Sequence, residues 1–342
     1  MEARRVPGAE AASRVRRGKN SSSSRSTGRF VKVIWRTKKD SLMYQSLQFV
    51  GDPPPLLVFE ISEQGVAGVR RNPKTLAVEA RAFQPLPKGA VEASAVKENV
   101  HHPEELQQAV QTVLQELGPA KRPDAALILP DDSSRLTVLD LDKLPADARE
   151  RLALIRWRLK KTVPFDIERA RISYQPQPSP GGVSVLVAAT PPEVVQQYEA
   201  PFQQAGLFPG YVSLSTAAAL NLTRGGGMTV LAKMAGHTLT IVALGNGAVR
   251  LIRHVDLAEH PPGAVAERLQ DMVSDLFPTC VFIKDNLGAE VSKLLLCGFG
   301  NLLQPALEFF PRELGCEVEP LRSHAGVVNG NEAGLWGYMQ VN

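Results

Sequence analysis

The feature that most narrows what this 342-residue chain can fold into is an order of segments that occurs twice. In the first half, LLVFEIS, GVAGVRR and TLAVEARAFQPL are separated by short turn-like gaps and predict a three-strand meander. A helix follows in LQQAVQTVLQELG, where Leu106, Val110, Val113, Leu114 and Leu117 recur at helical spacing and Gly118 stops it. AALILP at 125–130 is then a continuous apolar run, as a central strand covered on both faces requires. The second half repeats the series. MTVLAKM, HTLTIVALGNG and AVRLIRHVDL form a meander with an Asn246-Gly247 hairpin turn, residues 263–277 read as a helix, and KLLLCGFG at 293–300 is the second buried run. The parallel continues in FQQAGLFPGYVSL with STAAALNL against FFPRELGCEVEPL with NEAGLWGYM.

One duplication at so long a period predicts two copies of an α/β unit facing each other rather than a solenoid. That is a duplicated, actin-like (ribonuclease H-like) two-lobed fold. The turns between the first two strands of each half, and the loops after each buried strand, then converge on one cleft where backbone N–H groups can hold phosphates. Residues 131–200 do not fit the repeat. SSRLTVLDL, the helix ADARERLALIRWRLKKTV with its stripe of Ala148, Leu152, Ile155, Leu159 and Val163, and the strands ARISYQ and VSVLVAAT predict a small inserted α+β subdomain. The expected organisation is a tail at 1–50, a first lobe of 54–130 plus 201–225, the insertion at 131–200 and a second lobe at 226–342.

Charge has to be located before it is interpreted. Residues 1–40 carry 12 Lys and Arg against three Asp and Glu, leaving a mildly acidic remainder of 27 against 32. The basic balance therefore gives no nucleic-acid surface to the folded part. The tail, with its serine run at 21–24, has no apolar periodicity and is expected to be disordered. It reads as a phospholipid or nucleic-acid tether, an organellar presequence, or an extension upstream of a start at Met43. No apolar run reaches the length of a spanning helix, so a cytosolic or membrane-peripheral protein is expected. Cys280, Cys297 and Cys316 lie far apart with no CxxC pair, which suits core thiols better than a disulfide or zinc framework.

The stretch IRWRLKKTVPFDIERARISYQ, followed by VSVLVAAT and PPEVVQQYEAPFQQAGLFPGYVSLSTAAALNL, resembles the PilM/FtsA group across about residues 54–342. The spacing of Pro164-Phe165 to Tyr174 and the Ala205-Gly206-Leu207 segment carry the likeness. The resemblance implies a cytoplasmic actin-like component of type IV pilus assembly, peripheral to the inner membrane. Such a protein binds ATP and clasps the cytoplasmic tail of a bitopic, PilN-like partner, with self-association a further expectation. Its phosphate motifs are altered here. Glu60-Ile61-Ser62-Glu63-Gln64 replaces an Asp-Ile-Gly-Ser-Ser turn, Lys233-Met234-Ala235 replaces Asp-Ile-Gly, and only Gly298, Gly300 and Asn301 remain of a glycine-rich adenosine turn, where Phe299 is expected to crowd an adenine. An ammonium at position 233 can pair with phosphate but cannot hold Mg²⁺.

The chain lacks GxxxxGK[ST], HExxH and GxSxG, and its six histidines are scattered, so no metal site or catalytic residue is assigned. The expected function is a pseudo-ATPase adaptor without cofactor. The alternatives are an active Mg·ATPase and a GspL-like type II secretion component; the latter family continues into a spanning helix and periplasmic domain that do not precede Asn342. Partner binding is expected in the insertion, at Arg156, Trp157, Phe165 and Tyr174. Trp157, between the apolar stripe and the basic side formed by Arg149, Arg156 and Lys160, is expected to be half buried.

Overall fold

A computed structural model describes residues 54–179, 182–223 and 226–341; the expected tail and Met43 lie outside the described residues. The first half runs β1 (Leu57–Ser62), β2 (Gly65–Arg71), β3 (Val78–Pro85), α1 (Pro103–Leu117) and β4 (Asp124–Leu129). The insertion contributes β5 (Arg135–Leu141), α2 (Ala148–Leu159), β6 (Arg171–Ser179) and β7 (Gly182–Thr190), after which α3 (Pro192–Gln204), β8 (Phe208–Leu214) and α4 (Ser215–Ala219) complete the half. The second half is β9 (Met228–Ala235), β10 (Thr238–Gly245), β11 (Ala248–Asp256), α5 (Val265–Leu287), β12 (Val291–Cys297), α6 (Leu303–Leu314), β13 (Glu317–Pro320) and α7 (Ala333–Val341).

The two five-stranded sheets have the same order, β3-β2-β1-β4-β8 and β11-β10-β9-β12-β13. In each, three antiparallel strands are followed by two parallel ones, so the duplication read from sequence is a duplication of topology and the fold is actin-like and two-lobed. The insertion is a separate antiparallel sheet, β5-β7-β6, with Ile155 and Leu159 of α2 packed on Val185, Val187 and Ala189. Helix α3 begins inside the expected insertion at 131–200, yet its Val194, Val195 and Tyr198 join the first-lobe core together with Phe202, which was expected there and meets Phe59 edge-on at 5.0 Å. The insertion also reaches the second lobe: Val249 N–H donates to Gln177 Oε1 (2.7 Å) and Gln177 Nε2 donates back to the Val249 carbonyl (3.4 Å), beside the irregularity in the β10–β11 ladder.

Helix α5 runs ten residues past its expected end at 277, because Pro278 is accommodated inside it. Proline removes one intrahelical donor. Beside it, Arg253 Nη1 from β11 donates to the Asp275 carbonyl (3.2 Å) and the Thr279 hydroxyl (3.1 Å), holding the turn together from outside the helix.

The final helices of the two halves, α4 and α7, pack on each other, and this joins the lobes into one apolar core containing Ala218, Ala219, Leu335 and Tyr338. The approach is close enough to demand glycine. A Cβ on Gly337 would lie 2.0 Å from the Ala218 carbonyl oxygen, and one on Gly334 would lie 2.4 Å from Ile128 Cγ2. Among the described residues no helix is long and apolar enough to cross a membrane.

Two effects oppose each other at Gly337. Replacement by Ala gains about 1 kcal/mol of helix propensity, but the new methyl must push α4 and α7 apart, and overpacking costs about 1–3 kcal/mol. Backbone is the obstacle here, so packing wins: Gly337→Ala is expected to lower the stability measured by urea denaturation, and a midpoint at or above the wild-type value would show that the helices can separate freely.

Candidate functional site

Strand period selects the groups that meet between the lobes. Successive side chains on a strand point to opposite faces. On β9, Val230 and Ala232 face the core under α5 and α6, while Leu231 belongs to the core shared by both lobes. Lys233 follows Leu231 by two residues and enters that shared face, only 1% exposed. Glu60 holds the equivalent place on β1 and is also 1% exposed. The two positions where the PilM/FtsA resemblance implied paired aspartates are therefore brought together, as a carboxylate and an ammonium.

Lys233 Nζ donates to Asp131 Oδ2 at 2.9 Å. Asp131 follows β4 and is oriented by Thr216 at the start of α4, whose N–H and hydroxyl both donate to it at 2.7 Å. Burial alone would raise the Asp131 carboxyl, but the Lys233 ammonium and Thr216 hold it below the usual carboxylate range. Burial would likewise lower the Lys233 ammonium, and Asp131 instead raises it. Glu60 receives the N–H groups of Leu335 (2.7 Å) and Gly334 (3.3 Å) from α7 and the hydroxyl of Ser215. Burial pushes its carboxyl up to about 7 despite Lys233 nearby. Cys297, buried next to Lys233 in the paired strand, has its thiol pushed up to about 12 by burial. Cys280 and Cys316 are partly buried free thiols.

The hairpin turns that would embrace phosphates instead touch. A Cβ on Gly236 would lie 2.8 Å from Glu63 Oε2, so the Glu63 carboxylate occupies the gap between the β1–β2 and β9–β10 turns. Gln64 accepts a hydrogen bond from Asn331 Nδ2, and Arg81 of β3 pairs with Glu332 ahead of α7. Ser62 turns inward to donate to the Gly65 carbonyl (3.2 Å). What remains is a cavity of about 40 Å³ lined by Glu60, Glu63, Asp131, Asp132 and Lys233. That space suits water, which needs about 10–15 Å³, whereas small-molecule pockets run to about 300–1,000 Å³. With a cation fixed at 233 and a carboxylate filling the turn, the residues present do not fit Mg·ATP.

The glycines of the expected adenosine turn have a packing role. Gly298, at φ +79°, lies against the Met234 carbonyl and Gly330, and a Cβ there would come within 2.1 Å of that oxygen. Gly300 has open space around it, and Asn301 is exposed. Phe299, expected to crowd an adenine, points the other way, 1% exposed and edge-on to Phe310 at 6.0 Å in the second-lobe core.

A second concavity, of about 520 Å³, lies between the insertion and the first lobe. Phe165, Pro164 and Arg169 line one side, and Val96, Lys97, Pro192 and Gln197 the other. Its 94–98 wall is fixed by Asn99, which is wholly buried. Asn99 Oδ1 accepts from Ser94 N–H (3.0 Å) and the Tyr198 hydroxyl (2.9 Å), and Nδ2 donates to the Ser94 and Lys97 carbonyls. Gln197 Oε1 in turn accepts the Asn99 and Val100 N–H groups. Of the four expected partner residues, Phe165 lines this groove and Arg156, Trp157 and Tyr174 do not. Trp157 is 66% exposed rather than half buried, because it sits about 200° around α2 from both Ile155 and Leu159. Arg158 stacks over its ring at 5.4 Å. Arg156 donates to the Ala170 carbonyl (3.2 Å), and Tyr174 packs on the insertion core.

Asp131, Thr216, Ser215 and Asn99 were missed from sequence. The Asp131-Asp132 pair directly after a buried strand was the available signal, since that loop was expected at the cleft.

Glu60 generates a pH signature. Its folded pKa of about 7 exceeds the ordinary 4.5, so between those values the native state holds a proton that the unfolded chain has released. Stability from this group is full below about pH 4.5 and declines as pH rises to about 7, by about 3 kcal/mol in all. Asp131 acts oppositely, but only below the ordinary carboxylate range. Glu60→Gln keeps an acceptor for the α7 N–H groups and cannot ionise; its stability relative to wild type is expected to rise between pH 5 and pH 8 in urea titrations. Parallel profiles would contradict the buried, near-neutral carboxyl.

No family model and no curated protein matches the chain. Among solved structures, it superposes on a chain of a PilM-PilN type IV pilus biogenesis complex with a TM-score of 0.70 at 19% identity, covering 85% of this chain and 100% of that one. The cytoplasmic domain of EpsL, an inner membrane component of the type II secretion system of Vibrio cholerae, gives 0.43 at 13% identity over 70% and 80%. A Bacteroides thetaiotaomicron protein with an actin-like ATPase fold and unknown function gives 0.47 at 12% over 82% and 94%. The first of these likenesses spans the whole of its counterpart and establishes that the two chains share a fold.

Proposed function

We propose that this chain is a PilM-like adaptor of type IV pilus assembly. It works at the cytoplasmic face of the inner membrane and holds the short cytoplasmic tail of a bitopic, PilN-like protein without hydrolysing ATP. The observation that carries the reading is the preformed groove between the insertion and the first lobe. Its Phe165, Val96 and paired prolines at 191 and 192 offer apolar anchor sites, and its charges are mixed: Lys97 and Arg169 against Glu98, Asp166 and Glu193. Extended peptides bind such grooves through backbone hydrogen bonds and side-chain pockets. A wall pinned in advance by Asn99 reduces the ordering cost of binding. The shared fold with a chain of a PilM-PilN complex supports the same assignment.

The cleft supports the non-enzymatic half of the proposal. Hydrolysis needs a carboxylate-held metal to organise phosphate and water, and Lys233 already neutralises Asp131 in a space of about 40 Å³. An active ATPase would need the turns to part and Lys233 to release its partner.

Tagged protein is expected to capture, from detergent-solubilised membranes, a single-span protein with a short cytoplasmic tail. Replacing Val96 and Phe165 together by Asp should abolish that capture while leaving the melting temperature within a few degrees. Capture that survives the double substitution would move the partner site elsewhere, and recovery of soluble proteins alone would sink the adaptor reading. In a second measurement, millimolar Mg·ATP should leave the melting temperature unchanged, whereas a ligand at a hundredfold excess over Kd would add about 2.7 kcal/mol.

A further inference from the structure

We propose that Lys233 is a lock carried by the chain itself: a covalently tethered cation around which the two lobes are held shut, so that closure does not depend on a bound nucleotide or metal. The proposal rests on the reading that this cleft does not take Mg·ATP, and it names what takes the place of that group. Lys233 and Asp131 belong to different lobes and are 102 residues apart in sequence, yet their charged atoms lie 2.9 Å apart with side chains only 1% and 4% exposed. Water cannot screen a pair so placed, and neither partner can swing to solvent without parting the lobes.

The surroundings are built to keep the pair in place. Asp131 is fixed by two hydrogen bonds from Thr216, and Glu60, the second carboxylate facing the ammonium, is fixed by the N–H groups of Gly334 and Leu335 and by Ser215. Glu60 is contributed by the first lobe and the N–H groups that hold it by the second, so every charged group at the seam is anchored across it or beside it. The Glu63 carboxylate lies against Gly236, and about 40 Å³ of free space remains beside the pair. Of the carboxylates that line the site, Asp131 is the one ion-paired with Lys233, while burial raises the Glu60 carboxyl beside it.

A lock made of opposite charges gives a characteristic mutational pattern. Removing one member strands the other in a dry site, which is costly, whereas replacing both by neutral groups of similar shape is not. Lys233→Met is therefore expected to lower the melting temperature by about 10 °C. The double variant Asp131→Asn with Lys233→Met, in which Asn keeps an acceptor for the Thr216 N–H, is expected to recover at least half of that loss although it carries one more change. If Lys233→Met fails to fold and the double variant folds, the proposal stands in stronger form. A double variant no more stable than Lys233→Met, or one that also fails to fold, overturns it. Adding Mg·ATP to the wild-type protein separates this claim from the one it rests on: a rise in melting temperature defeats the nucleotide-free reading whatever the double variant does, and an additive double variant defeats the lock even where Mg·ATP has no effect.

Discussion

The arrangement of this molecule depends on how two lobes that each present one face of a sheet to the other are brought together. The closing interaction is the buried Lys233–Asp131 pair, flanked by Glu60 at the N-terminal end of α7 and by the apolar contact of α7 with α4. A buried ion pair is weak evidence for net stability, because desolvation offsets much of the attraction. Its consequence is specificity. The only way to satisfy Lys233, Asp131 and Glu60 together is to set the lobes in the closed register, and the glycines at 334 and 337 let the helices approach far enough for that register to form.

The groove beside the insertion is a separate concavity from the cleft, although Ala93 at the cleft edge leads almost directly into its 95–98 wall. The insertion grows out of the loop after β4 and returns before α3, so its junction with the lobe lies between Pro164-Phe165 on one side and the 94–98 segment on the other. Gln177 pins the far end of the insertion to β11 of the second lobe. The insertion is thus held at both ends, and the walls of its groove are fixed. In the proposed reading the cleft is a structural joint and the groove beside the insertion is the binding surface.

Much of the fold was legible because local patterns carried it. The repeated meander, the buried runs at 125–130 and 293–300 and the insertion all appeared in the expected order, and the substitutions at 60, 62, 233 and 235 marked the cleft as altered. What could not be read was long-range pairing. Nothing local says that Lys233 meets Asp131, that α7 reaches back to Glu60, or that Phe299 turns into the second-lobe core. Helix α5 passes its expected end at 277 because Pro278 is accommodated within it, where Arg253 from another element bonds the neighbouring turn. Trp157 misled because the apolar stripe of α2 is narrower than the helix pattern suggested, with only Ile155 and Leu159 deeply buried.

The central claim is that the lobes stay closed through their own charges and packing. Native-state hydrogen exchange reads this directly at the amides of Leu335 and Thr216, which donate to Glu60 and Asp131. Cooperative opening exposes such amides only at the free energy of the unit that contains them. In nucleotide-free protein both amides are predicted to exchange with the slowest class, at the free energy of global unfolding. Exchange of both through a much cheaper opening, slowed by added Mg·ATP, would show a cleft that opens and closes on nucleotide and would contradict the account.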